Sequence, residues 1–101
     1  MTVHVGDTAV HEVVVTDAMT AEQFGNPGFP VLATPMLAAL CEQAAIKVLA
    51  GRLEPGQGSV GTRLELDHLA ATPVGMPVTV TATVTAVEGR QIIFAVEARD
   101  V

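Results

Sequence analysis

Residues 35–50 read PMLAALCEQAAIKVLA, an almost unbroken run of good helix formers, and in a chain of 101 residues this stretch decides what the remainder can be. Thr34 followed by Pro35 is a strong helix start: a threonine hydroxyl can accept from an orphan N–H, and proline at the first helical position loses no hydrogen bond. Gly51, then Pro55 and Gly56, close the helix. Only Glu42, Gln43 and Lys47 are polar within it. A helix with so little polar surface is expected to be buried on most sides, which calls for a sheet that wraps around it. The length suits one domain over residues 1–101, large enough for a single core.

Composition narrows the function classes. Half the residues are hydrophobic, yet no apolar run reaches the roughly eighteen residues of a membrane span. The opening MTVHVGD lacks the basic and apolar regions of a signal peptide, and the lone Cys41 builds no disulfide framework, so the expected compartment is the cytoplasm. A formal charge of −6 argues against nucleic acid as a partner. So does the scarcity of aromatics, with Phe24, Phe29 and Phe94 alone and no Trp or Tyr. An anionic small ligand stays open, because backbone N–H groups can hold a phosphate.

Around the helix the chain reads as strands. Residues 10–16 (VHEVVVT) form a first strand, and residues 20–30 a loop that gathers Asn26, Pro27, Gly28 and Pro30 about Phe24 and Phe29. Two loop aromatics suit either a flap over a cleft or ring packing against the domain edge. Over residues 60–68 the alternation is clean, with Val60, Thr62, Leu64, Leu66 and His68 on one face. Residues 78–87 (VTVTATVTAV) are the plainest strand, Glu88, Gly89 and Arg90 a hairpin signal, and residues 91–101 the return. Strand, loop, helix and three consecutive strands give an α+β fold with an antiparallel sheet packed on the helix.

Two polar groups then stand out. On a helical wheel Gln43 and Lys47 share a stripe, whereas Glu42 falls among Ala38, Ala45, Ile46 and Leu49. A carboxylate there needs a partner or a bordering cleft. His68 closes a strand on its apolar face. Singly, each has a structural explanation, and Thr34 is a cap. Together they suit acyl transfer: helix N–H groups for a developing oxyanion, and an acid–base pair for the attacking group. Spacing leaves open which is base and which orienter. With His4 and His11 remote in sequence and neither HxxxH nor CxxC spacing, no metal site is expected, and mid-helix Cys41 is not a nucleophile.

The segments ATPMLAALCE, LEPGQGSVGT, DHLAATPVGMPVTVTA and VEGRQIIFAVEARD resemble, collinearly over residues 33–100, the hotdog-fold thioesterases of the fluoroacetyl-CoA thioesterase type. The resemblance implies an antiparallel sheet around one long helix, with the family's last strand missing from this chain. It implies hydrolysis of a small or medium acyl-CoA thioester without metal or redox cofactor, coenzyme A entering as part of the substrate. Thr34, Glu42 and His68 match the catalytic set, and Gly61 matches a glycine at the thioester. Phe29 and Phe24 stand in the region of the family's aromatic lid, with Phe29 displaced by one position relative to the threonine. A homodimer with active sites at the subunit interface is also implied. Other hotdog functions are a non-catalytic module binding acyl-CoA or a small apolar acid, and a dehydratase. The dehydratase would want a second His or Asp motif at the helix start, which is absent.

Overall fold

A computed structural model of the chain describes residues 2–100. Strand β1 (Thr8–Val14) leads through two 3-10 turns, Asp17–Met19 and Ala21–Phe24, to helix α1 (Thr34–Leu49), and then to strands β2 (Pro77–Glu88) and β3 (Gln91–Arg99). The strands form one antiparallel sheet in the order β1-β2-β3.

The valine–threonine alternation of β2 explains why the helix sits where it does. Val78, Val80, Ala82 and Val84 turn inward and are buried, while Thr79 and Thr85 face outward and are exposed. Against them α1 lays Leu37, Leu40, Cys41, Ala44 and Val48, and Val15 joins the same core. Ala44 and Ala82 are both wholly inaccessible to solvent, so small side chains let helix and sheet approach closely. The hairpin between β2 and β3 turns at Gly89 and Arg90, with Gly89 at φ +61°, a left-handed conformation that glycine adopts without penalty. A bulge between Val84 and Ala86 shifts the pairing, so that Val87 as well as Ala86 becomes half-buried.

Three expectations are corrected. Residues 60–68 form no strand. Val60 is 84% exposed and Leu64 58%, and only Leu66 and His68 are half-buried. Alternation sorts side chains where a neighbouring strand fixes the pleat, and among the described residues both β1 and β3 pair only with β2. The helix, secondly, is covered on its sheet side and not all round: Glu42 and Ile46, one turn apart, are exposed. Thirdly, α1 begins at Thr34 itself with Ala33 as its cap, the Ala33 carbonyl accepting from the Leu37 N–H at 2.9 Å. Pro35 is tolerated there because first-turn amides have no intrahelical acceptor. Strand bounds also shift slightly, β1 starting at Thr8 and β3 ending at Arg99, and Val101 of the expected return strand lies outside the described residues.

Candidate active site

Because Ala33 occupies the cap, the Thr34 hydroxyl is free for another partner. It lies 2.8 Å from His68 Nδ1, a hydrogen bond in which the hydroxyl donates when that nitrogen is unprotonated. The two residues are 34 positions apart, and the segment leading into the helix at Thr34 is fastened to the segment that follows His68. The Leu32 N–H donates to the Thr72 carbonyl at 2.8 Å, and Val31 bridges to Pro73. On the other side the Ala33 N–H donates to the Met19 carbonyl at 2.9 Å. Thr34 and His68 share an open cleft of about 300 Å³ with Phe29, Val31 and Leu69. Phe29 is therefore at the site. Phe24, half-exposed, is not among the residues lining that cleft.

Glu42 and Gly61 form a second, separate pair. A Cβ built on Gly61 would stand 3.3 Å from Glu42 Oε2 and 3.4 Å from its carboxyl carbon, so the absence of a side chain lets this backbone approach the carboxylate. Glu42 lies eight residues beyond Thr34 on α1, a rise of about 12 Å. The four residues thus fall into a hydroxyl–imidazole pair at the helix start and a carboxylate–glycine pair two turns on. Among the described residues His68 Nε2 meets no hydrogen-bond partner.

The remaining candidates for chemistry are accounted for. Cys41 is buried in the core, and burial pushes its thiol above the ordinary range, away from the reactive thiolate. His11 bonds Gln43 Oε1 through Nε2 at 2.9 Å, joining β1 to α1. Among the described residues no group of three or more His, Cys, Asp or Glu side chains is placed to hold a metal ion. Sequence reading passed over Thr72, which is buried and whose hydroxyl donates to Asp100 Oδ2 at 2.9 Å. A contact spanning 28 positions between a turn and a strand end leaves no local pattern to find.

Comparison with known proteins gives a consistent assignment. The family model described as fluoroacetyl-CoA-specific thioesterase matches residues 15–101. The fluoroacetyl-CoA thioesterase of Streptantibioticus cattleyicolor is 40% identical over 102 aligned positions, which cover 95% of this chain and 73% of that protein. A variant of the fluoroacetyl-CoA thioesterase FlK, solved with fluoroacetate, superimposes with a TM-score of 0.89 at 39% identity, over 97% of this chain and 78% of its own. A Thermus thermophilus protein described as a thioesterase superfamily member gives 0.86 at 38% identity, over 94% and 70% of the two chains. A hot-dog-like protein from Thermanaerovibrio acidaminovorans gives 0.86 at 29%, over 95% and 71%. The helix laid on an antiparallel sheet is accordingly the hotdog arrangement, and the chain belongs to the fluoroacetyl-CoA-specific thioesterase family.

Proposed function

We propose that the chain is an acyl-CoA thioesterase that hydrolyses a small or medium acyl-CoA to the carboxylic acid and coenzyme A, and that it works as a cytoplasmic homodimer. The observation that carries the reaction is the 2.8 Å hydrogen bond between Thr34 Oγ1 and His68 Nδ1 in an open cleft. A hydroxyl within hydrogen-bond reach of an imidazole is the arrangement of an activated nucleophile. In the proposed step Thr34 Oγ1 bonds to the thioester carbonyl carbon as its proton passes to His68 Nδ1. The carbon–sulfur bond breaks, and His68 returns the proton to the departing thiolate. Water then gives a proton to His68 and attacks the acyl-threonine carbonyl carbon. The bond from that carbon to Oγ1 breaks, and His68 passes the proton to Oγ1, releasing the acid and restoring the hydroxyl. The start of α1 lies beside the developing oxyanion, where first-turn N–H groups without intrahelical acceptors stabilise negative charge.

A nucleophile–base pair works best when a third group orients the base. Glu42 in the same chain is about two helical turns away, so the proposal assigns that task to Glu42 of the partner subunit. Exposure supports a second copy: Ile46 beside Glu42, and Val60, Leu64 and Leu69 along the segment that carries Gly61 and His68, present apolar surface to solvent in the single chain. Because Gly61 lies against Glu42 within a chain, it is Gly61 of the partner subunit that, in this proposal, gives the thioester access to the backbone next to the acting carboxylate.

The test is release of free thiol from a panel of acyl-CoAs that includes fluoroacetyl-, acetyl- and longer acyl groups. Turnover of at least one is expected, falling by roughly 100-fold or more in His68→Ala and in Thr34→Ala. Full activity in both Glu42→Ala and His68→Ala would sink the assignment. Trapping of an acyl group on the peptide that contains Thr34, during a single turnover, tests the covalent step.

A further inference from the structure

We infer that Asp100 is a positioning residue for the Thr34–His68 pair, an inference that rests on the function proposed above. Asp100 follows β3 directly, and the last paired residue of that strand, Arg99, is held opposite Thr79 in the β2–β3 ladder. Its carboxylate therefore projects from a fixed end of the sheet. There Oδ2 accepts the Thr72 hydroxyl at 2.9 Å. Thr72 is 6% exposed, so its hydroxyl is shielded from water and needs a protein acceptor. An ionised acceptor makes the bond stronger than a neutral one. The neighbouring Arg99 guanidinium is engaged by Glu97.

Thr72 matters because of what its main chain does. Its carbonyl takes the Leu32 N–H at 2.8 Å, and the adjacent Pro73 bridges to Val31. Leu32 precedes Thr34 by two residues, and Thr72 follows His68 by four. One peptide group thus joins the segment entering the helix to the segment leaving the histidine, and Asp100 holds that peptide group in place from the sheet. Loss of the carboxylate would leave a buried hydroxyl unsatisfied and free the turn to rotate, and the Oγ1–Nδ1 separation would spread beyond the range for proton transfer.

The inference predicts a particular kinetic signature in the full chain. Asp100→Ala should lower kcat about tenfold with KM changed by less than about twofold. Asp100→Asn, whose amide oxygen can still accept from the Thr72 hydroxyl, should recover most of that rate. Thr72→Val, which removes the hydroxyl at nearly constant shape, should reproduce the Asp100→Ala loss. The double variant Asp100→Ala/Thr72→Val should lose no more than either single one, since one contact has been removed twice. Wild-type kcat in Thr72→Val, or losses that multiply in the double variant, would overturn the inference, and the first of these can be read even if Asp100→Ala fails to fold. His68→Ala separates the two levels. Inactive His68→Ala beside fully active Thr72→Val and Asp100→Asn/Thr72→Val removes the positioning role and leaves the thioesterase reading standing. Active His68→Ala removes that reading.

Discussion

The Thr34 hydroxyl has two uses open to it, capping the helix or meeting an imidazole, and the choice between them defines the site. Sequence alone favours the cap, because Thr before Pro is a common helix start. The structure gives the cap to Ala33 and the hydroxyl to His68. His68 was legible because it interrupts an apolar pattern and Thr34 because it precedes a proline at a helix start, whereas their contact was not, since it depends on how the loop carrying His68 meets the helix. Gly61 was expected through the resemblance alone, as a glycine at the thioester, and the structure adds that the Glu42 carboxylate lies against it. Gly61→Ala is expected to displace that carboxylate and lower kcat/KM by roughly tenfold, while stability stays within about 0.5 kcal/mol, as kinetics and urea denaturation of the same preparation will show. Cys41 provides a contrasting prediction. With its thiol pushed upward by burial, less thiolate exists at any given pH, so alkylation at pH 8 should be slow in the native protein and fast in denaturant.

For the elements, the most legible features were those whose stabilising contacts are local or repeat along the chain. The helix end at Gly51 and the β2–β3 hairpin are where the turn residues place them. Alternation in β2 predicted its buried valines because β1 and β3 pair with it on both sides. The same alternation over residues 60–68 did not produce a strand, as no described residue supplies a ladder for it. The bulge between Val84 and Ala86 left no sequence mark either, threonine being equally at home in a regular strand. The helix–sheet contact carries the fold, and Leu40, 2% exposed, lies at its centre. Leu40→Ala should cost roughly 2–5 kcal/mol in chemical denaturation, through lost burial and the cavity left behind. A smaller effect than an exposed-site substitution would contradict this packing.

In the whole molecule the hydroxyl–imidazole pair and the carboxylate lie about two helical turns apart along one helix, with apolar side chains exposed around the second site. The proposed homodimer would account for both observations, covering the apolar surface and bringing Glu42 of the partner subunit to the imidazole. The proposed chemistry uses side chains, helix N–H groups and water, so removal of divalent metals by prolonged dialysis against EDTA should leave turnover unchanged. A loss restored by one particular metal would contradict it. The central claim is a Thr34–His68 pair from one chain completed by a carboxylate from another. It is tested most directly by unfolding His68→Ala and Glu42→Ala together, refolding the equimolar mixture, and measuring acyl-CoA hydrolysis. Half of the dimers formed would be mixed, each with one site carrying both substitutions and one carrying neither, so the account predicts recovery to about one quarter of wild-type activity. A refolded mixture no more active than the separate variants would contradict it.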